Sequence, residues 1–410
     1  MLKFKDHIIE QKNVHMEHLE DLIFNEGVVG TRKAINFLRD LRDMLAGHTK
    51  TKVAATVKWD GAPAIFAGVD PADGKFFVAK KGIFNKNPEV YKTDKDIDAN
   101  LSGDLNTKFK VALKEFSKLG IKSGVYQGDM MFTKGDVKTE TIGEEDFITF
   151  HPNTIVYAVP ANSALAKKIT AASVGVVWHT TYEGDSLETM KATFGKSIIA
   201  NLKHISSVWM DDANYKDYSG TATFTDAETK QLTAILSSIG KLFNATTSSA
   251  INAIHQDNDL LNMVKMFNNS KIRNSEKITD TSKHVNDLYN FIHDRYQKEM
   301  DKKKTEAGKA TQEVARKKVL KFFVDHDKKD IVQIFDLANL IVDAKNMIIN
   351  KMNNAGHIKT FLRTASGFKT TGVEGFVAID HLTGGAVKIV DRLEFSRANF
   401  SPDIIKGWQR

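Results

Sequence analysis

The sequence has no cysteine, only 6 prolines and no apolar run of membrane-spanning length. Without cysteine there are no disulfides, no thiol nucleophile and no thiolate zinc site. So few prolines speak against long Pro-rich linkers. The opening Met1-Leu-Lys-Phe-Lys-Asp-His lacks the apolar segment of a signal peptide, and no stretch approaches the roughly 20 residues a membrane helix needs. A cytoplasmic location without membrane contact is the expectation. The 410 residues are 41% hydrophobic and 27% charged, enough for one large core or two moderate ones. Lys and Arg outnumber Asp and Glu by 58 to 51, a net charge of +7. That surplus suits a partner carrying phosphates, although a basic surface that binds nothing has the same composition.

Periodicity divides the chain into four parts: 1–50, 51–223, 224–354 and 355–410. Residues 8–47 read as two amphipathic helices. Met16, Leu19, Leu22 and Ile23 share a face of the first, Gly27 and Gly30 break it, and Thr31 caps a second that runs to Leu45 and stops at Gly47. This pair is expected to pack on the part that follows. His15, His18 and their acidic neighbours lack a metal-ligand spacing and read as a solvated face. Residues 51–93 read as strands, with a turn at Pro71-Ala-Asp-Gly74. A basic amphipathic helix over 104–119 precedes strands at 123–132, 150–157 and 174–182. From about residue 224 the period becomes helical. Thr225-Asp-Ala-Glu228 is a capping signal, glycine is nearly absent, and helical periodicity covers 229–243, 248–268, 282–323 and 330–353. This part carries the basic tracts 302–309 and 316–321, which read as a solvated helix face or a phosphate-backbone groove. Strands return over 360–400.

The stretch that organises the rest is Lys58-Trp59-Asp60-Gly61, at the end of a short buried strand from Val53 to Val57. A strand-end lysine held in a pocket can lose its proton by desolvation or beside a second cation, and a neutral lysine is a nucleophile. Glycine lets the backbone approach a ligand closely. K-x-D-G alone is a weak signal. It is followed in order by Tyr126-Gln-Gly-Asp129, Val373-Glu374-Gly and Ala386-Val-Lys388-Ile, each a strand with a charged residue. Together these resemble motifs I, III, IV and V of the covalent lysine nucleotidyltransferases, the polynucleotide ligases and mRNA capping enzymes. The resemblance covers about residues 51–195 and 355–410.

It implies an α+β fold: a nucleotidyltransferase domain of the ATP-grasp-like ligase adenylation kind, with antiparallel sheets, flanking helices, N-terminal helices and a large helical insertion. It implies that Lys58 attacks the α-phosphate of ATP, with ATP preferred over GTP by the family's leaning, and that Lys388 offsets phosphate charge. Asp129 and Glu374 would ligate Mg2+ or Mn2+. Asp60, Gly61, Lys80, Lys81, Asp129, Trp178 and Glu374 would bind the nucleotide, with Trp178 stacking on the base. The opposite reading of Trp178, a core position, stays open because alternation leaves the inward face undetermined. Partners would be the triphosphate and nucleic-acid ends, RNA before DNA, because only 22 residues follow Lys388 (410 − 388) and leave no room for an OB domain.

Three departures qualify the match: Asp129 stands where ligases usually carry Glu, the Lys80-Lys81 pair where they carry Arg, and Lys388 lacks the usual second lysine, for which Arg392 and Lys369 are the substitutes at hand. The layout also looks like nucleotidyltransferase-like proteins of large tailed phages. The expectation is thus an RNA-ligase-like enzyme, with a DNA nick-sealing ligase and a degenerate nucleic-acid-binding or phage structural protein as alternatives.

Overall fold

The computed structural model describes residues 16–47, 53–194, 197–215, 223–356, 358–380 and 385–409. The 8–15 part of the expected first helix lies outside them.

Helices and mostly antiparallel strands are mixed along the chain. A single turn of 3-10 helix leads into α1 (Leu22–Leu45), which bends at Gly27, where φ is +57°. Only glycine takes that conformation cheaply. There is therefore one break, not two: Gly30 stays helical, and Thr31 caps nothing but donates its hydroxyl to the Gly27 carbonyl at 2.9 Å. Strands β1 (Val53–Lys58), β2 (Ala64–Val69), β3 (Phe76–Ala79) and β4 (Val90–Tyr91) follow, with the β2–β3 connection at the expected Pro71–Gly74 turn. Helices α2 (Asp94–Asn100) and α3 (Gly103–Phe116) precede β5 (Val125–Thr133), β6 (Lys138–Ile142), β7 (Glu145–Phe150) and β8 (Ile155–Pro160). After α4 (Ala164–Ala171) come β9 (Val174–Glu183), β10 (Lys191–Phe194) and β11 (Val208–Asp212).

The helical stretch contains α5 (Asp226–Ala245), α6 (Ser248–Gln256), α7 (Asn258–Arg273), α8 (Thr281–Asp301), α9 (Glu306–Leu320), α10 (Phe322–Asp325) and α11 (Lys328–Met352). Thr225 and Glu228 form the expected capping box at its start. The chain then returns through β12 (Lys359–Thr364), β13 (Gly367–Thr370), β14 (Gly375–Asp380) and β15 (Ala386–Ile389) to α12 (Arg392–Phe400).

The strands make three sheets. One has the order β1-β14-β15, the second β10-β9-β5-β2-β3-β4 with β11 parallel on β9, and the third β13-β12-β8-β7-β6. The first and third join strands from either side of the helical stretch, which is therefore an insertion in topology. It is not a separate body in packing. One core runs through α1, α5–α8, α11 and the inner face of the three-stranded sheet, with Leu38, Ile254, Leu288, Phe335, Ile341, Phe376 and Ile389 in it. The boundaries near 50 and 223 do not interrupt it. Three strands alone could not bury their apolar face, and the helices supply the second layer. A second core lies between the seven-stranded sheet and α3. A third, rich in aromatics such as Phe132, Phe150, Tyr157 and Trp209, has side chains from both the seven- and five-stranded sheets. The candidate site lies where the sheets meet.

Candidate active site

Lys58 is the last residue of β1 and pairs in register with Gly375, the first of β14. That register sets Glu374 beside it, and the Lys58 ammonium forms an ion pair with the Glu374 carboxylate. Gly61 is required by close approach: a Cβ there would lie 2.5 Å from Asp129 Cβ and 2.9 Å from the Met130 carbonyl. The K-x-D-G turn is thereby pressed against β5, where Asp129 pairs across to Ala64 on one side and Val177 on the other. On β15, Val387 and Ile389 enter the helical core and Lys388 between them faces the other way. Four strands thus bring two lysines and two carboxylates together.

Their charges act on one another. Burial raises the Asp129 carboxyl to about 7, against the pull of Lys58 and with help from the charges of Glu374 and Asp60. Its side chain is 22% exposed, so a ligand can reach it. Burial also raises Glu374, whose side chain is 8% exposed, although Lys58 opposes this. Lys388 is lowered by burial and by the Lys58 charge. Charges close enough to shift one another, and held against their desolvation cost, mark functional sites more often than structural ones.

Other expected site residues lie elsewhere. Trp178 is 0% exposed and packs in the core under α3, against Phe116 and Tyr126, so it offers no face to a base in the cleft. The reason is the pleat together with a bulge. Gln127 pairs with Thr180 and Gly128 with Trp178, so His179 is the extra residue between them. His179 takes the cleft-side position, its Nε2 3.9 Å from Asp129 and its Nδ1 2.7 Å from Thr180 Oγ1. Burial and the Lys58 charge lower it to about 4, which leaves a neutral imidazole. Sequence reasoning passed over His179 because a bulge has no periodic signal; the one hint was its place directly after the aromatic.

Asp60 is saturated from inside the fold. Its carboxylate accepts Thr154 N–H at 2.7 Å, Ile155 N–H at 2.8 Å and the Asn153 amide at 2.5 Å, and its own N–H donates to Tyr157 Oη at 2.7 Å. It ties the K-x-D-G turn to the start of β8 instead of holding a sugar. Lys80 pairs with Glu89 at 3.6 Å and lies over the Tyr91 ring, toward β4. Lys81 is exposed in the following turn. Neither proposed substitute for the second lysine is available. Arg392 is bound to Asp21 at 3.0 Å and to Asn269, and Lys369 is on β13 in the five-stranded sheet. Phe395 on α12 brings an aromatic ring within 6.0 Å of Lys58 Nζ.

No group of three or more His, Asp or Glu side chains is arranged to hold a metal among the described residues. Asp129 and Glu374 are two hard oxygen donors with raised carboxyls. That set is too small to cage an ion but suits Mg2+, which commonly takes one or two carboxylates and completes its shell with phosphate and water. No helix among the described residues is long and apolar enough to cross a membrane.

A family model matches residues 13–403, nearly the whole chain. The chain belongs to this family, DUF6267, a family of unknown function. No curated protein and no solved structure matches it.

Proposed function

We propose that the protein is an ATP-dependent lysine nucleotidyltransferase of the RNA-ligase kind. The observation that carries this reading is the convergence of Lys58 from β1, Asp129 from β5, Glu374 from just before β14 and Lys388 from β15 on one charged junction. The order of these residues along the chain also resembles the ligase motifs.

In this mechanism Glu374, in direct contact with the Lys58 ammonium, takes its proton. A carboxyl raised by burial is the better acceptor for it. The free Nζ attacks the α-phosphorus of ATP, a P–N bond forms, and the P–O bond to the leaving pyrophosphate breaks. Lys388 offsets the charge gathering on the α-phosphoryl oxygens. Asp129 and Glu374 would hold Mg2+ or Mn2+ against the phosphates, and that ion supplies charge neutralisation. Neutral His179, beside Asp129, is placed to orient a sugar hydroxyl or a phosphate oxygen. An oxygen of a 5′-phosphate end then attacks the lysyl nucleotide, the P–N bond breaks and Lys58 is freed, and a 3′-hydroxyl attacks the activated end, forming the phosphodiester bond as AMP leaves.

A second reading, a non-catalytic binder of nucleic acid or of a structural partner, draws support from Arg392, whose engagement with Asp21 and Asn269 leaves the second lysine of the motif without a substitute. One experiment separates the readings. The protein is mixed with α-labelled ATP or GTP and Mg2+ or Mn2+, and acid-labile label on the protein is measured, with Lys58→Ala as control. Label that depends on Lys58 is expected. Its absence with every nucleotide rejects the enzyme, and salt-sensitive nucleic-acid binding in that case would favour the binder. Where label forms, broken RNA and nicked DNA as acceptors decide between an RNA and a DNA ligase.

A further inference from the structure

Behind Lys388 lies a buried network of charge that the proposed reaction does not use. The segment before α1 runs beside β15: the Lys388 N–H donates to the Glu17 carbonyl at 2.8 Å, and His18 forms a parallel bridge with Lys388. Glu17 and His18 therefore act as one more short edge pairing on the three-stranded sheet. Two residues on, Glu20 accepts two hydrogen bonds from Lys345 of α11, each 2.8 Å, in a site where Lys345 is 1% exposed. Arg392, at the start of α12, reaches Asp21 at 3.0 Å and Glu20 at 3.7 Å, and its other nitrogen donates to Asn269 of α7.

A buried ion pair is a poor source of stability, because desolvating both charges cancels most of their attraction, while a well-packed apolar pair would do as well. What such a pair does supply is a fixed geometry. Here it fixes the segment whose backbone holds Lys388, and it does so from three helices contributed by the insertion and the C-terminal end. Despite its burial, Glu20 is kept charged by Lys345 and Arg392.

We infer that Lys345, acting through Glu20 and the 17–18 backbone, is a positioning residue for Lys388, so that the helical insertion sets the geometry of the cleft as well as filling the core. The inference rests on the reading of Lys388 as a phosphate-binding lysine. Lys345 touches no reacting atom. Its loss acts by letting the edge pairing slip and Lys388 drift, and a misplacement of about 1 Å at such a group costs on the order of a hundredfold in rate.

The test uses the full chain and two variants. Lys345→Met with Glu20→Gln removes both charges together and avoids an uncompensated buried carboxylate, which by itself could unfold the protein. Lys345→Arg keeps the charge. Two readouts are taken. The first is the pH dependence of acetylation at Lys388, obtained by competitive labelling with acetic anhydride and mass spectrometry, with Lys345→Arg as the rescue. The second is the single-turnover rate of acid-labile label transfer from α-labelled ATP, resolved into its maximal rate and the ATP concentration giving half of it. In the folded double variant, Lys388 is expected to titrate closer to an ordinary lysine, and the maximal labelling rate to fall about tenfold to a hundredfold with the half-saturating ATP concentration little changed. Lys345→Arg should stay close to the native protein in both. A folded double variant with unchanged Lys388 titration overturns the inference, whatever its activity. If no variant, nor the native protein, transfers label, yet Lys388 titration shifts, the positioning stands and it is the nucleotidyltransferase reading that fails.

Discussion

The charges of the helical insertion and those of the cleft follow different rules. Along α8 to α10 most are solvent-facing and paired three or four residues apart, as in Lys283–Asp287, Lys302–Glu299, Lys309–Glu306 and Lys321–Asp325. Such pairs add little to stability. They keep a helix face soluble, and they account for much of the basic tract without invoking a phosphate groove. In the cleft, two lysines and two carboxylates share one partly desolvated volume, and that burial shows as an Asp129 carboxyl lifted to about 7, against the pull of Lys58. A sequence lists both sets alike as Lys, Asp and Glu. Burial tells them apart: charge in water requires no function, whereas charge held out of water needs a counter-charge, a ligand or a reaction.

The comparison is broken most directly by Lys58→Ala. Removing the cation next to Glu374 should abolish label transfer to below detection while circular dichroism stays native; a variant that still accepts label at the native rate removes the cleft from the chemistry. The next effect tests the burial of the cleft's carboxylates. With the Asp129 carboxyl raised from 3.8 to about 7, the folded state binds a proton that the unfolded state has lost, so Asp129 lowers stability as pH rises through that window. Asp129→Asn should therefore gain stability over the native protein progressively between pH 4 and 7, level above 7, by on the order of 3 kcal/mol in urea unfolding. A pH-independent difference would mean Asp129 is not held out of water.

The helical side should show the opposite slope. His284, buried between Phe267 and Phe335, is lowered to about 4 by its burial and stays neutral in the fold. In the unfolded chain it protonates near 6.5, so stability falls as pH drops from 6.5 toward 4. His284→Gln should be less stable at neutral pH, through lost packing, yet flatter by on the order of 2 kcal/mol across that acid window. Half-buried His18, lowered to about 3, keeps part of the slope in place. The smallest effect belongs to the exposed pairs: Lys309→Ala should leave the melting temperature unchanged within error, and a clear drop would show that the helix face carries more than solvation.

The strands bearing Lys58, Asp129, Glu374 and Lys388 were readable because each is a short apolar run around a single charge, and the capping box at Thr225 was readable because its spacing is local. Trp178 was not, since a strand's two faces look the same until a neighbouring sheet or helix claims one; α3 claimed the face that holds Trp178, and the bulge turned His179 the other way. Asp60 resembles a ligand-binding acid in sequence, and only the fold reveals Thr154 and Ile155 donating to it.

By itself, then, the sequence determined where strands give way to helices and which charged residues sit at strand ends, because hydrophobic period and capping act over a few neighbours. The tertiary structure decided which of those residues meet. Whether Lys58 lies beside Glu374, whether the segment behind Lys388 is held by Lys345, and whether an aromatic faces the cleft or the core all depend on pairings between residues tens to hundreds of positions apart. Those pairings are fixed by burying one shared apolar core, a property of the whole chain that no local stretch contains.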